Sequence, residues 1–559
     1  MAIVDTMKED ATVISSAEQP KNDLYLHDGE KDLDEDFGVP ERYRGTADDK
    51  RDMSMLGKKQ VLRVSVPVRA GASRTRANTD AAQRNFRFVT MVGFASTVMA
   101  SWEILLPLFS FVLTDGGTAD LFWGFIVVGL GQTLVYASIA EVASMSPTAG
   151  GQYHWVSELA PPRIQKMLSY LVGWLAAIGW QVYLAGVAFM VGSVIQGLIA
   201  LNVEGYVWHA YHGTLLSIAA IVFSIAFNTF LAPHLPLIEG TVLILHLAGL
   251  FAIIIPLWVM APRANAHDAL LVFTNFGGWP STGLSAMIGL TTPLSVLIGY
   301  DCSVHMSEEI RDASITLPKA IMWSVVINAV LGFLMAITLI FTLGDIDSLF
   351  ASVTRQPFIQ LFYNATQSYG GTNAMTAIVI ILLAACCTSE VATASRQLWS
   401  FARDQGLPGS GWLSQVTPGW NIPLHAVFVS LIVSSLLACI NLGSSVALNA
   451  INSLGGVSIL TSYFITISCL IYRRLAGPPL PHRRWSLGKY GLWINIAALL
   501  YLMPLWFFAF WPLSTPVTPE NMNWSSTMFG GVMIIAVLYY YFKARHVYVG
   551  PVVFVKRDL

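Results

Sequence analysis

The chain of 559 residues is 54% hydrophobic and 12% charged, with a mean hydropathy of +0.58. Soluble domains of this length do not have such a composition, whereas repeated apolar runs of about 20 residues are typical of membrane helices. The net charge of −2 gives no reason to expect nucleic acid as a partner. All five cysteines fall inside apolar segments, so neither a disulfide framework nor a zinc site is expected. The composition indicates a polytopic membrane protein.

Residues 1–87 are rich in Asp, Lys, Ser and Arg and have no hydrophobic periodicity. This composition predicts a mostly disordered cytosolic tail. Because the chain does not start with the basic-then-apolar pattern of a cleavable signal peptide, we expect membrane insertion to begin with the first apolar helix. The tail is either a plain solvated segment or a site for trafficking and ubiquitination machinery, whose target lysines would be Lys21, Lys31, Lys50, Lys58 and Lys59.

Twelve apolar segments follow the tail, and their lengths suit transmembrane helices. They are predicted at residues 88–112, 121–145, 168–199, 212–232, 236–262, 283–307, 319–344, 374–402, 424–442, 446–472, 491–513 and 526–543. The first five segments (88–262) and the next five (283–472) form two sets. The last two (491–543) are accessory, and residues 544–559 form a second tail.

The loops on the side of the two tails hold most of the remaining Lys and Arg residues. This bias predicts that both termini are cytosolic. Two N-x-S/T sequons, at Asn364 and Asn523, fall on the opposite side of the membrane and are candidates for glycosylation.

The sixth segment contains residues that a membrane helix normally avoids. Pro293 removes a backbone donor, Gly299 loosens the next turn, and Asp301 and His305 put ionisable groups near the middle of the span. A charge at that depth costs roughly 2.5–3.5 kcal/mol even on the mildest scale, so such groups usually face a cavity or a partner. We interpret the segment as a broken helix that holds a solute site. The alternative is a kinked helix whose Asp301 pairs with one neighbour.

The first segment is irregular at the matching position, with Gly93, a cluster of small residues, and then Glu103 and Pro107. Interrupted helices at equivalent places in two halves are typical of inverted-repeat transporters with a midplane binding site. The sequence therefore predicts an all-α polytopic membrane protein with 12 transmembrane helices. They would form a 5+5 inverted repeat with broken helices 1 and 6, plus two accessory helices.

Three motifs in the predicted cytosolic loops resemble those of a known family. They read AEVASMSPTAGGQYHWVSELAPP after helix two, SEEIRDASITLPKAI after helix six and ATASRQLWSFARDQGLP at the end of helix eight. In this order and spacing they resemble the amino acid–polyamine–organocation superfamily. Within it the chain is similar to the fungal amino acid/choline transporter family, whose members also have the late run PVTPENMNW. The resemblance covers about residues 88–545.

The resemblance implies a substrate held between broken helices one and six and lined by helices three, eight and ten. It also implies import of an amino acid or amine by alternating access, usually with a coupled proton and without a cofactor. Relatives have a GSG-type run in helix one, where freed backbone amides receive the substrate carboxylate. The matching positions here are Ala100, Ser101 and Trp102, so two glycines are replaced.

Glu103 would either pair with a substrate ammonium, carry the coupled proton, or be a hydrogen-bonded structural acid. Trp102 would offer a cation–π face or simply pack. In helix six, Gly299-Tyr300-Asp301 matches the glycine, aromatic and acid of the superfamily, whereas His305 is expected to make a helix–helix hydrogen bond. The candidate substrate-binding residues are Ala100, Ser101, Trp102, Glu103, Trp180, Gly299, Tyr300 and Asp301. For Trp180 and its neighbour Tyr183 the alternative is core packing.

Proton coupling in some relatives uses a titratable side chain on helix five, near helices one and eight. Here His246 on helix five and Glu390 on helix eight would share one transferable proton, or form a static hydrogen bond. Glu103 and Asp301 are further candidates for the coupled proton. By resemblance, the inner gate contains Glu141, Gly150, Gly151 and Tyr153. We expect Glu141 to pair with Arg396 or Arg403 on the same side.

Other classes of function are less well supported. A membrane enzyme would need a metal or nucleophile cluster, and the one tightly spaced His pair, His209 and His212, has no acidic neighbours at ligand spacing. No G-x-x-x-x-G-K-[ST] run for ATP is present, and nothing resembles a channel selectivity filter. The sequence favours a plasma-membrane importer of amino acids, including 4-aminobutyrate. The alternatives are a transporter of choline or another organic amine, which Glu103 favours, and a non-transporting nutrient sensor.

Overall fold

The structure is a computed structural model, and it describes residues 45–58, 86–231, 234–417, 422–443 and 447–555. These parts of the chain are almost entirely helical. Two strands of two residues each, β1 (Asp115–Gly116) and β2 (Thr274–Asn275), pair antiparallel between the helices.

The described residues in the first half of the chain form nine helices. They are α1 (Ala47–Met55), α2 (Phe88–Met99), α3 (Ser101–Thr114), α4 (Gly117–Met145), α5 (Gln152–Leu159), α6 (Gln165–Asn202), α7 (Ala210–Phe230), α8 (Leu235–Met260) and α9 (Ala266–Leu271). The second half begins with three short helices and a long one: α10 (Thr282–Gly289), α11 (Thr291–Val296), α12 (Cys302–His305) and α13 (Ala313–Thr342).

The remaining helices in the described ranges are α14 (Ile346–Phe350), α15 (Pro357–Thr366), α16 (Tyr369–Arg403), α17 (Ser410–Leu413), α18 (Leu424–Ala438), α19 (Ala447–Ala476), α20 (Gly491–Phe508), α21 (Ser525–Tyr539) and α22 (Arg545–Val547). Short 3-10 turns follow several of them, at Ser307–Glu309, Cys439–Leu442, Gly488–Tyr490 and Pro551–Phe554.

Eleven helices in the described residues are long and apolar enough to cross a membrane, with α2 and α3 counted as one span. The prediction of an all-helical polytopic membrane protein is therefore confirmed. The predicted segment 283–307 is absent from these eleven because α10, α11 and α12 are only 8, 6 and 4 residues long. It is a broken helix, as the sequence predicts.

The 38-residue helix α6 lies at the centre of the bundle, where it contacts α5, α7, α16, α18 and α19. Small residues allow this close approach. A methyl group at Gly173 would collide with the ring of Phe401 on α16, and one at Gly179 would collide with Ile459 on α19. The neighbouring helix α13 contacts both α2 and α4. These contacts fix the surroundings of the two broken helices.

The two breaks have different backbone causes. Between α2 and α3, Ala100 has φ 37° and ψ 48°, a left-handed conformation that costs a residue with a Cβ about 1–3 kcal/mol unless its surroundings impose it. In the sixth segment, Gly299 has φ 112°, which glycine tolerates. Pro293 lies in the first turn of α11, where its missing N–H group is not needed. The break therefore falls at Gly299 and not at Pro293.

Residues 45–58 do not match the predicted disordered tail. Thr46 and Asp49 form a capping box at the start of α1, with hydrogen bonds of 2.8 and 3.1 Å, and Met53 and Leu56 are buried. The prediction is wrong for this part because the segment binds a surface of the folded bundle. Of the candidate lysines, Lys50 is exposed and the Lys58 side chain is only 6% exposed. Three others, Lys21, Lys31 and Lys59, lie outside the described residues.

Candidate functional site

The two helix breaks face each other in the middle of the bundle. A methyl group placed on Gly299 would lie 3.5 Å from Val98 Cγ1, in the last turn of α2. The Cys386 thiol of α16 donates to the carbonyl of Val98 at 3.2 Å. The breaks therefore meet beside α16. Ala100 and Asp301 are buried, so the site is closed in this conformation.

Main-chain donors are available at the first break. Because α2 ends before Ala100, the N–H groups of Ser101, Trp102 and Glu103 have no carbonyl in a preceding helical turn. The first N–H group of α3 that bonds along the helix is that of Ile104, at 2.8 Å from Ala100 O. Free amides at a helix N-terminus are suited to bind an anion such as a carboxylate. The break provides these donors without the glycines that the family pattern contains.

The Trp102 and Glu103 side chains both contact α8. The indole Nε1 of Trp102 donates to the carbonyl of His246 at 3.1 Å, and Glu103 Oε1 lies 2.5 Å from His246 Nδ1. Both Glu103 and His246 are 1% exposed. The predicted pairing of His246 with Glu390 is not formed in this conformation, because His246 Nδ1 binds Glu103 and His246 Nε2 has no hydrogen-bond partner among the described residues.

Asp301 is held by two hydrogen bonds from different elements. Its Oδ1 accepts from the Tyr463 hydroxyl of α19, and its Oδ2 accepts from Gln152 Nε2 at the start of α5, each at 2.6 Å. His305 Nδ1 lies 2.8 Å from Ala149 O and therefore donates to it, which places the other nitrogen, Nε2, 3.9 Å from Asp301 Oδ2. His305 makes the expected contact between elements. Asp301 connects the sixth segment to two neighbours rather than to one.

Aromatic rings surround Asp301. Tyr300 contacts the ring of Tyr136 on α4 and lies 5.1 Å from that of Tyr463. Trp180 of α6 stands edge-on to His305, with ring centroids 5.9 Å apart, and neighbours Tyr183 at 6.3 Å.

Several polar atoms around these rings have no hydrogen-bond partner among the described residues: Tyr136 Oη, Tyr183 Oη, Trp180 Nε1, His305 Nε2 and Glu390 Oε2. Buried polar atoms are rarely left unpaired unless water or a ligand completes them. Trp180 and Tyr300 were predicted from the sequence as site residues. Tyr136 and Tyr463 were not, because they lie in long apolar runs without a distinguishing local pattern.

Glu239 of α8 is a further buried acid, and it was not predicted as a site residue. Its Oε1 accepts from the Ser389 hydroxyl of α16 at 2.5 Å, and the residue is 1% exposed. No Lys, Arg or His side chain within the described ranges forms an ion pair with it. An isolated acid in an apolar segment is a signal that the sequence contains, since Glu239 is the only acid in the apolar run of α8.

Ion pairs concentrate at one end of the bundle, which we call the terminal face: α5, the start of α13, the end of α16 and the loop after α19. Glu141 pairs there with Arg474 and, at 2.9 Å, with Arg483. The predicted pairing of Glu141 with Arg396 or Arg403 is therefore wrong in this conformation. Arg474 in the last turn of α19 and Arg483 in the loop after it form these ion pairs in place of the arginines of α16.

Arg396 and Arg403 instead bind the two acids of the SEEIR motif. Arg396 Nε lies 2.6 Å from Glu309 Oε1, and Arg403 Nη2 lies 2.7 Å from Glu308 Oε1. These pairs hold the end of α16 to the segment just after α12. The two glutamates were part of a recognised motif, but their role was not predicted.

The remaining gate candidates lie at the start of α5. Gly151 has φ 55° and ψ −127°, and a side chain there would meet Val304 and His305. The Tyr153 hydroxyl donates to Asp404 Oδ2 at 2.8 Å, whereas a side chain at Gly150 would collide with the Tyr153 ring. Gly150, Gly151 and Tyr153 are thus gathered between the sixth segment and the end of α16.

The two candidate glycosylation sites differ in accessibility. Asn523 is fully buried, and its Nδ2 donates to Ser453 Oγ and to two main-chain carbonyls. The prediction is wrong for Asn523, because a glycan cannot be attached to this amide in the folded protein. Asn364 is half-buried at the last turn of α15 and remains a candidate.

Comparison with known proteins supports the resemblance seen in the sequence. Residues 86–537 match the family model described as amino acid permease. The chain is 31% identical to a putative amino acid/polyamine transporter of Macrophomina phaseolina, over 78% of this chain and 97% of that protein.

Two further relatives are somewhat less identical but also match most of this chain. A choline transporter of Saccharomyces cerevisiae is 28% identical over 83% of this chain and 82% of its own length. Amino-acid permease 2 of Neurospora crassa is 28% identical over 84% of this chain and 86% of its own length. The named relatives thus divide between amino acids and amines, so the comparisons alone leave the substrate open.

Proposed function

The chain belongs to the amino acid permease family and is a membrane transporter rather than an enzyme, and we propose that it imports amino acids, including 4-aminobutyrate, by proton symport with alternating access. The transporter would lie in the plasma membrane. Its terminal face and both chain termini would be on the cytosolic side. The positive-inside bias of the sequence supports this orientation.

The observation that carries the proposal is the pair of facing breaks at Ala100 and Gly299. The free amides of Ser101, Trp102 and Glu103 offer donors to a substrate carboxylate, in the position where the family resemblance places that group. Irregular backbone at membrane depth is stable only where protein or a polar ligand satisfies it. A zwitterion between the breaks would do so with its carboxylate at α3 and its ammonium toward the rings near Asp301.

For the coupled proton we propose Glu239, with the Glu103–His246 pair as a second exchangeable group. Glu239 is buried, has no cationic partner in the described ranges, and bridges α8 and α16 through Ser389. An uncompensated carboxylate in a dry membrane interior is far less stable than the neutral acid, so Glu239 would hold a proton while the site is closed. Water entering when the transporter opens inward would stabilise the carboxylate and release the proton.

A specific observation also favours an amine substrate. Tyr136, Tyr300, Tyr463 and Trp180 surround the carboxylate of Asp301, and aromatic rings near an acid are suited to a quaternary ammonium group. A relative named as a choline transporter supports this second candidate. A nutrient sensor is the third candidate, and it would bind a substrate without moving it.

Uptake in cells that lack their own carriers tests the proposal. Radiolabelled 4-aminobutyrate, choline and an amino acid mixture are supplied at pH 5 and pH 7.5, with and without a protonophore. We expect amino acid uptake that is faster at pH 5 and is lowered by the protonophore. Choline uptake alone would support the second candidate, and binding without uptake would support a sensor.

Glu239→Gln tests the coupling residue, with the exposed Glu204→Gln as its control. A side chain that cannot release a proton should remove the difference between pH 5 and pH 7.5, whereas the control should keep it. An unchanged pH dependence in Glu239→Gln at normal surface expression would contradict the role of Glu239.

A further inference from the structure

We infer that the N-terminal segment, residues 45–58, is part of the inner gate and must leave its surface before the transporter opens to the cytosol. The inference rests on the proposed transport function and orientation. The segment is attached to the surface of the helix bundle at two places, through α1 and through Lys58.

The first attachment is at the start of α13. Both carboxylate oxygens of Asp49 accept main-chain N–H groups there, from Asp312 at 2.9 Å and from Ala313 at 3.0 Å. Asp312 has a left-handed backbone, with φ 56°, and has no side-chain capping bond of its own. An acid from α1 thus caps a 30-residue membrane helix, at the end where the helix dipole favours negative charge.

The second attachment is a buried ion pair. Lys58 Nζ lies 3.1 Å from Asp404 Oδ2, just after α16, and both side chains are 6% exposed. Burial lowers the pKa of Lys58, and Asp404 acts in the opposite direction. Burial alone would raise the pKa of Asp404, but Lys58 and Arg403 hold it below its ordinary range. A pair buried to this degree is costly to break, because removal of one partner leaves the other charge without compensation.

The ion pair is connected to the candidate site through two consecutive residues of α5. Tyr153 donates to Asp404 at 2.8 Å, and its neighbour Gln152 donates to Asp301 at 2.6 Å. Lys58, Asp404, α5 and Asp301 thus form one continuous series of contacts from the N-terminal segment to the break in the sixth segment. Opening at the terminal face must separate α5 from the end of α16 or from the sixth segment, and each separation disturbs this series.

The C-terminal segment also packs near α5 and can be compared with the N-terminal one. The Tyr548 hydroxyl, beyond α22, hydrogen-bonds to Ser169 Oγ at 2.7 Å, and Ser169 Oγ donates to the carbonyl of Tyr153. This contact reaches the main chain of α5 but none of the charged side chains. Of the described residues in the two terminal segments, only those of the N-terminal segment place a charge among the gate residues, so we expect this segment to control opening.

Accessibility of Cys302 measures opening without a transported substrate. Cys302 follows Asp301 and is fully buried, so a membrane-impermeant maleimide should reach it from the cytosolic side only when the inside opens. The other four cysteines are replaced by serine, and inside-out vesicles are used. We expect Lys58→Ala to raise the rate of labelling by more than about tenfold.

Arg51→Ala is the matched control, because it removes one positive charge from the same segment at an exposed position. It should leave the rate unchanged, because exposed ion pairs contribute little. An unchanged rate in Lys58→Ala, or an equal increase in Arg51→Ala, would overturn the inference. Because labelling requires no substrate, this outcome is independent of whether the tested solutes are transported.

A cross-link tests the inference if Lys58→Ala does not fold. Asp49→Cys and Ala313→Cys, in a background without the native cysteines, can be joined by a short cleavable bis-maleimide. The cross-link prevents the segment from leaving its surface, so uptake should fall by about tenfold or more. Cleavage of the cross-linker should restore uptake. Full uptake by the cross-linked protein would show that the segment can stay in place during transport.

Discussion

The breaks in the first and sixth membrane segments differ in where their polar side chains lie. At the first break, Trp102 and Glu103 point to α8 and bind different atoms of His246. At the sixth, Asp301 lies among α5, α19 and a group of aromatic rings. The first break therefore leaves main-chain amides without acceptors in a preceding helical turn, whereas the sixth holds a carboxylate among side chains from other elements.

At the first break, the groups suited to contact a substrate are therefore different from the side chains that bind neighbouring helices. The main-chain amides of the first break can receive a carboxylate without the Trp102 and Glu103 side chains, so these side chains need not determine which solute is bound. The sixth break has a carboxylate whose hydrogen bonds also connect it to the inner gate, through Gln152. We therefore expect substitutions at Asp301 to affect transport of every solute, and substitutions around Glu103 to act through α8.

The largest effect is expected for Asp301→Asn. The amide oxygen can still accept from Gln152 Nε2 and the amide nitrogen can donate to the Tyr463 hydroxyl, but two charge-assisted hydrogen bonds become neutral ones. A loss of about 2–3 kcal/mol corresponds to roughly a 30- to 150-fold decrease in uptake. Uptake per transporter at the cell surface measures it, with Tyr463→Phe as a milder variant that removes a single bond. Nearly normal uptake by Asp301→Asn would show that the carboxylate is not needed.

A smaller effect is expected for Glu103→Gln. The amide oxygen can still accept from His246 Nδ1, but a charge-assisted bond becomes neutral, which should lower total uptake by about threefold to tenfold. The ratio of amine to amino acid uptake should stay within about twofold, since Glu103 faces α8. A selective loss of choline uptake would instead place the Glu103 carboxyl in contact with the substrate ammonium.

The sequence was sufficient to locate both breaks, because the energetic cost of charge and of free backbone groups in a membrane is local. Asp301 and Gly299 in an apolar run cannot be accommodated by a regular lipid-facing helix, whatever the rest of the fold. The same reasoning applies to Glu239, which was overlooked although it stands alone in an apolar run. Thr46 and Asp49 also had the spacing of a capping box, so α1 could have been suspected from the sequence.

Which charged side chains pair with each other could not be predicted in the same way. Glu141 and Arg483 are 342 positions apart, and several arginines were predicted on the same face. Which of them reaches Glu141 depends on how the loop after α19 folds over α4. The pairing of Glu103 with His246 likewise depends on the rotation of α3 against α8, which hydrophobic periodicity does not determine in a helix that is apolar on all sides.

Trp102→Phe tests whether the indole acts only as a link to α8. It removes the hydrogen bond to His246 O while keeping most of the ring, at a cost of about 1 kcal/mol. In purified protein we expect the melting temperature to fall by about 1–2 °C and the substrate preference to remain unchanged. A large change in amine uptake at an unchanged melting temperature would mean that the ring contacts the substrate.

The smallest effect concerns the end of the bundle opposite the terminal face, where the two broken segments touch directly. Asp115, just after α3, accepts a hydrogen bond from Ser285 of α10 at 2.8 Å. Burial raises the pKa of the Asp115 carboxyl to about 7, against the opposing effect of Ser285.

The folded protein therefore holds one more proton at Asp115 than the unfolded chain between about pH 4 and pH 7, so this carboxyl makes stability fall as pH rises through that range. Asp115→Asn keeps an acceptor for Ser285 and removes the titration. Its melting temperature should decrease less between pH 5 and pH 8 than that of the unmodified protein, whereas the exposed Asp268→Asn should not differ from it. Parallel pH profiles for Asp115→Asn and the unmodified protein would mean that the contact between the broken segments does not depend on a proton at Asp115.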